Sequence, residues 1–397
     1  MSGQMVTLGD LFQIGSSKRV LKSQWTTEGV PFYRGREITR LAAEGFVDNE
    51  LFISEEHFSE LAAKSGVPQA GDIVITAIGT IGNAHVVRES DRFYFKDASV
   101  LWMKRTSDVS SEFINLWLQS PLFFDQLDKG NGATVDTLPI QKLQSLRVSI
   151  PPLPEQHRIV ALLDEAFDGI ATAKANAEKN LQNARALFES HLKAVFTERG
   201  EGWELKTLAE VATTFGRGKS RHRPRNALHL YGGEYPFVQT GDIRNADHVI
   251  NQYSQTYSEA GLAQSKLWPK GTICITIAAN IAETAILGFD SCFPDSVIGI
   301  VANPMQADVD FIEYLLQSFK ARIQSMGKGS AQANINLGTF ENERFPFPSV
   351  TVQKQLVAKL DVLWEETQRL ESLYQRKLAA LDELKKSLLN QAFSGAL

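Results

Sequence analysis

The sequence predicts an α+β protein: two similar domains, each a mixed or antiparallel sheet with helices, separated by a long antiparallel two-helix coiled coil. Three observations predict it. First, the chain has 397 residues, too many for one ordinary core, and it repeats itself. "PPLPEQHRIVALLDEAF" (151–167) is answered by "PSVTVQKQLVAKLDVLW" (348–364) at an offset of 353 − 156 = 197. Second, inside each repeat short Val/Ile/Thr-rich runs alternate with Gly/Asn/Asp turns, the pattern of strands. Third, the segment after each proline stop carries apolar residues at alternating steps of four and three.

The elements follow in chain order. Residues 1–150 form the first domain, 151–199 a long helix, 200–347 the second domain and 348–397 a second long helix. "VPFYRGREI" (30–38) answers "YPFVQTGDI" (235–243), and "GDIVITAIG" (71–79) answers "GTICITIAA" (271–279). "EFINLWLQS" (112–120) answers "DFIEYLLQS" (310–318), and "KGNGATVD" (129–136) answers "KGSAQANIN" (328–336). The offset drifts from 236 − 31 = 205 to 271 − 71 = 200 to 311 − 113 = 198, as small loop insertions would make it. Residues 113–127 have helical spacing with a proline break.

In the first long helix the packing column is Ile159, Leu163, Ala166, Ile170, Ala173, Ala177 and Ala184. In the second it is Leu356, Leu360, Leu363, Thr367, Leu370, Tyr374, Leu381, Leu384 and Leu388. Alanines on one side and leucines on the other let large pack on small. Each helix runs roughly 40 residues, about 60 Å, too long to be buried in one domain and stable only against a partner. Its own repeat is the nearest partner. Chain order then makes the pair antiparallel, since the first helix leads the chain away and the second returns it.

Composition excludes several classes. Hydrophobic content of 43% and charged content of 22% are those of a globular protein. No apolar run reaches membrane-spanning length, and "MSGQMVTLGD" lacks a signal-peptide layout, so a cytoplasmic location is expected. Cys274 and Cys292, amid apolar neighbours and without nearby His, read as reduced core residues rather than metal ligands. No metal site is expected. "GRGKS" (216–220) ends like a phosphate-binding loop, but Thr213 stands where its first glycine belongs. There is no glycine-rich dinucleotide loop, no nucleophile elbow, no H-E-x-x-H and no Asn-Pro-Pro-aromatic tetrad. Asp164 and Glu165 read as capping acids in the first turns of a helix. No catalytic residue is expected, and no cofactor bound by this chain.

The net charge of −5 argues mildly against a free-standing nucleic-acid binder, but it hides a local patch. "GRGKSRHRPR" (216–225) holds Arg217, Lys219, Arg221, His222, Arg223 and Arg225 with no acid, and its Gly and Pro make it a loop. Arginine reads guanine edges and clamps phosphates, which makes nucleic acid the expected partner. The first repeat has a weaker counterpart in Lys18, Arg19 and Lys22, followed by Arg34 and Arg36. Near Lys328, the polar side chains of Gln332, Asn334 and Asn336 suit adenine edges, although Asn is a good turn residue in any case.

This ordered set resembles the specificity (S) subunit of type I restriction–modification systems. "VSIPPLPEQHRIVALLD" carries most of the likeness, with "TGDI" at 240–243 and "QANIN" at 332–336. The likeness covers essentially the whole chain; the second proline stop, 345–355, departs from it in lacking the double proline and the Glu. The resemblance implies that each domain is a target-recognition domain reading one half of a split double-stranded DNA site. It implies that the helices set the gap and bind two methyltransferase (modification) subunits, joined by restriction (motor-nuclease) subunits. S-adenosylmethionine, ATP and magnesium then belong to those partners, which would also complete the positive charge around the DNA. The competing reading is a non-catalytic scaffold, two ligand-binding domains on a coiled coil, that does not bind DNA.

Overall fold

In a computed structural model of the chain, residues 3–127, 137–222, 224–278, 280–326, 335 and 337–397 are described. The chain divides into two compact units, Met1–Glu178 with Arg376–Leu397, and Lys179–Gln375. Each unit thus contains a globular part and a stretch of both long helices.

The first unit has a four-stranded antiparallel sheet, in the order Phe12–Gly15, Val100–Arg105, Ile73–Thr76, Ala84–Val86. A smaller mixed sheet joins Val30–Tyr33 antiparallel to Phe52–Ile53 and parallel to Tyr94–Phe95. The central strand Ile73–Thr76 is buried at every position, so its run reads as continuously apolar rather than alternating. Gln4–Thr7 pairs with Arg147–Ile150 just before the first long helix, joining the start of the globular part to its end.

The second unit repeats this plan. Its larger sheet runs Ala212–Arg217, Val297–Ala302, Ile273–Thr276, Thr284–Leu287, Val249–Ile250, and only the last pairing is parallel. Tyr231–Phe237 again has one antiparallel and one parallel neighbour. Glu204–Lys206 pairs with Phe345–Phe347, as the equivalent strands do in the first unit. Cys274 and Cys292 are fully buried, and burial pushes both thiols up, away from the reactive thiolate.

The repeat extends to single hydrogen bonds. Gln156 Oε1 accepts from the Ser110 amide at 2.9 Å, and Gln353 Oε1 from the Asp308 amide at 2.8 Å. Each Gln donates from Nε2 to the carbonyl of the proline before the helix, Pro151 or Pro348, at 2.8 Å. Ser110 and Asp308 in turn cap the helices Ser111–Leu118 and Val309–Ser318. The glutamine after the proline stop therefore ties the long helix to the capping residue of a domain helix. The second stop works in this way without the double proline.

The long helices are Leu153–Thr197 and Val350–Ser394, 45 residues each. Within the first unit they run antiparallel: Lys174 pairs with Asp382, and Lys385 Nζ lies 4.7 Å from the centre of the Phe167 ring. Ile159, Leu163, Leu389 and Ala392 enter the core there, with Leu388 packed against it. Within the second unit Arg185 pairs with Glu371 at 2.8 Å, and the Phe188 and Trp364 rings are 4.9 Å apart. Phe188, Leu192, Phe196 and Leu360 enter that core, with Leu356 and Leu363 against it.

Of the sequence-derived column, Ile170, Ala177, Ala184 and Thr367 are buried, while Ala166, Ala173, Leu370, Tyr374 and Leu381 are half-buried. Leu384 is 46% exposed, contrary to expectation. The column advances from Leu381 by four to Lys385, which is half-buried over Phe167, and not by three. Asp164 and Glu165 also differ from their expected place. The helix starts at Leu153 and its first-turn acid is Glu155, so these two lie beyond the reach of the terminal dipole. Burial, with Asp168 and Glu112 nearby, raises the Asp164 carboxyl instead of lowering it.

Candidate nucleic-acid interface

In the second unit the basic run is held on a fixed frame. Arg217 is the last residue of the strand Ala212–Arg217 and not part of a loop. Gly218 follows, its amide donating to the Val297 carbonyl at 2.9 Å. A Cβ there would fall 2.3 Å from the Phe293 carbonyl oxygen and 2.4 Å from that of Pro294, so only glycine lets the chain pass. Gln264 Oε1 accepts from the amides of Arg221 at 2.6 Å and His222 at 3.0 Å. Ser265 donates to the Lys219 carbonyl at 2.8 Å, and the Tyr231 hydroxyl to the Arg225 carbonyl at 2.7 Å.

The side chains of this run face solvent. Arg217, Lys219, Arg221 and Arg225 are exposed and His222 half-buried, its ring edge-on to His229 with centroids 5.0 Å apart. The run contains no acid, yet the fold supplies one. Asp295 accepts at its carbonyl from Arg217 Nε at 2.7 Å and at its carboxylate from Arg225 Nη2 at 2.9 Å. Lys266 adds a cation, its Nζ 3.5 Å from the centre of the Trp268 ring. Burial and the nearby charge of Lys219 lower its pKa.

The first unit places its candidates differently. Lys18 and Lys22 are exposed, and Arg19 is 78% exposed with its Nε 3.8 Å from Asp97. The Lys18 amide donates to the Tyr94 hydroxyl at 2.9 Å. Arg34 precedes the helix Gly35–Glu44 as its N-cap. Its amide reaches Glu37 Oε2 at 2.9 Å and its Nη2 reaches Oε1 at 2.7 Å. Arg36 spans Glu37 and Glu50, both at 2.6 Å. In the second unit the Gln239 amide meets Asp242 at 2.8 Å in the same way, so "RGRE" and "QTGD" build one helix start. Arg36, Thr39, Arg40, Thr76, Ile78, Thr80 and Ser99 line a cleft of about 540 Å³.

A threonine-centred turn closes each surface. Thr76 Oγ1 donates to the Thr80 carbonyl at 2.5 Å and accepts the Asn83 amide at 3.1 Å. Thr276 bonds the Asn280 carbonyl and accepts the Glu283 amide at 3.0 Å. The candidates Arg223, Lys328, Gln332, Asn334 and Asn336 lie outside the described residues. Ile335 is described, and its amide donates to the Ile277 carbonyl at 3.3 Å, beside the Arg217–Arg225 surface.

Residues 3–182 and 200–377 each match the type I restriction modification DNA specificity domain. The chain belongs to that family. Two copies at these positions are the duplication seen in the fold. A Haemophilus influenzae protein assigned as the type I restriction enzyme specificity subunit S.HindORF215P is 32% identical over 192 residues, 46% of this chain and 47% of that protein. That match spans about half of the relative's length. A Methanocaldococcus jannaschii protein assigned as the MjaX specificity subunit is 21% identical over 386 residues, 91% of this chain and 87% of that one. Among solved structures, one described under complex assembly and conformational transition of the type I R-M system has a TM-score of 0.80 at 18% identity, covering 100% of this chain and 98% of its own.

Gln264, Ser265, Lys266, Asp295 and Arg40 were not legible as site residues in the sequence. No helix among the described residues is long and apolar enough to cross a membrane.

Proposed function

We propose that this specificity subunit is the DNA-recognition component of a type I restriction–modification complex. Each globular part reads one half of a bipartite double-stranded site, and the long helices dock two methyltransferase subunits and, through the complex, restriction subunits. The chain carries no catalytic group and binds no cofactor; S-adenosylmethionine, ATP and magnesium are held by the partners, in the cytoplasm. The observation that carries this reading is the anchored basic run at 216–225. Four exposed cations there are fixed through backbone and side-chain bonds to three other segments of the same unit. A solvated charged face needs no such frame, whereas a surface that meets phosphates and base edges in one register does.

The decisive experiment co-expresses the tagged chain with modification subunits and measures duplex binding against salt. Stoichiometric co-purification and sequence-dependent binding that falls steeply with salt are expected. Co-purification with no duplex binding at low salt leaves the scaffold reading in its place.

A further inference from the structure

In the second unit one residue holds two arginines. Asp295 engages Arg217 through its carbonyl and Arg225 through its carboxylate. Both guanidinium groups line a cleft of about 350 Å³ whose other walls are Ile277, Ala278, Ser296 and Ile335. Ile277 and Ile335 are buried, 2% and 3% exposed, so the walls of this cleft are partly apolar.

A free arginine side chain loses rotamer freedom when it binds. Here much of that ordering is made in advance by the protein. Each guanidinium still has N–H groups to offer, and none accepts, so the ligand must present acceptors. Two groups on DNA present paired acceptors that match a guanidinium fork: a phosphate, and the O6/N7 edge of guanine. The acid decides between them. The Asp295 side chain is 35% exposed and its carboxylate would stand beside a bound phosphate, where like charges repel. A phosphate clamp is better without it. A neutral base edge is not repelled, and it benefits from donors held in a plane against an apolar wall.

We propose that Asp295 is a positioning residue that presents Arg217 and Arg225 to a guanine edge in the major groove, making this cleft a base-reading site of the second unit. The proposal rests on the DNA-recognition reading above. It differs from that reading in naming one base and the residue that orients its readers.

The test uses the full chain assembled with its modification subunits, on duplexes carrying its target and every single-base-pair variant. Arg225→Lys keeps the charge and loses the planar fork; Asp295→Asn keeps the shape and loses the charge. Both variants are expected to lose roughly tenfold or more of the discrimination at one G·C pair in the second unit's half-site. Affinity for unrelated duplex should rise for Asp295→Asn. Placing 7-deazaguanine at that pair should reproduce the loss in the unmodified protein and add nothing in either variant. Uniform weakening across all sequences, or unchanged discrimination in Arg225→Lys, overturns the proposal. Should Asp295→Asn melt at a lower temperature, discrimination by Arg225→Lys alone decides the matter. Failure of the unmodified complex to prefer any sequence overturns the DNA-recognition reading itself.

Discussion

One buried and one half-buried charge act at opposite ends of the pH range in which the units are stable. Burial pushes the Glu37 carboxyl up, but hydrogen bonds from Arg34 and Arg36 and the Arg34 amide outweigh it and bring it to about 2. A folded value below the usual 4.5 contributes stability above about pH 4.5, lost as pH falls towards 2. Burial pushes the His248 imidazole down, yet Asp310 and Glu313 raise it to about 10. Its contribution is complete below the usual value of 6.5 and is lost as pH rises through about 10. His248 Nδ1 lies 2.8 Å from Glu313, which is fully buried, so removing the imidazole leaves a buried carboxylate with only the neutral donors Thr284 and Gln317. His248→Gln is expected to destabilise the protein by about 3–5 kcal/mol at neutral pH and to flatten the loss of stability above pH 7. Chemical denaturation from pH 5 to 10 checks it; a variant with the same alkaline slope as the parent refutes the assignment. The pairings of His248 with Asp310 and of Asp295 with Arg225 were not legible in the sequence, because they span 62 and 70 positions. The run 216–225 reads as acid-free for the same reason. Composition within a window is blind to what a sheet brings alongside.

At the scale of elements the sequence was most informative where a local period or a local motif sets the outcome. The proline stop, the glutamine after it and the first half of each helical column all stand in one stretch of chain. Leu384 shows where that reasoning ends. Steps of three and four are both allowed at each turn, and which is taken depends on the neighbour. At Lys385 the ammonium lies over the Phe167 ring, so a lysine fills a place that the pattern gave to a leucine. The two leucines therefore separate cleanly. Leu360→Ala, at a fully buried site in the second core, is expected to cost about 2–5 kcal/mol, and Leu163→Ala in the first core the same. Leu384→Ala should stay within about 0.5 kcal/mol of the parent. Thermal or denaturant melts of the three variants decide it; a Leu384→Ala loss comparable to Leu360→Ala would return the column to the sequence's own register. Gln353→Ala tests the other legible element. It leaves the Asp308 amide without its acceptor in a part-buried place and is expected to cost about 1–3 kcal/mol, with Gln156→Ala matching it in the first unit.

At the scale of the whole molecule, duplication predicts modular reading. Each globular part carries its own pair of joining strands, Gln4–Thr7 with Arg147–Ile150 and Glu204–Lys206 with Phe345–Phe347. Each also carries its own candidate surface, built from different elements: the helix start at Arg34 and Arg36 in one, the anchored run at 216–225 in the other. A substitution of one part is therefore expected to leave the other part's reading alone. The boundary condition comes from packing. Phe311 and Tyr314 of the second globular part share a core with Phe188 and Leu360 of the long helices, so the incoming part must supply aromatic residues at those places or the helices lose their cover. Exchanging residues 200–347 for the matching part of a relative that keeps them should yield a folded protein whose second half-site is new and whose first is unchanged. Methylation by the assembled complex on a library randomised in both half-sites reads this directly. A change in the first half-site as well would mean that the two parts do not read independently, and that the repeat in the chain is a repeat of architecture without a repeat of function.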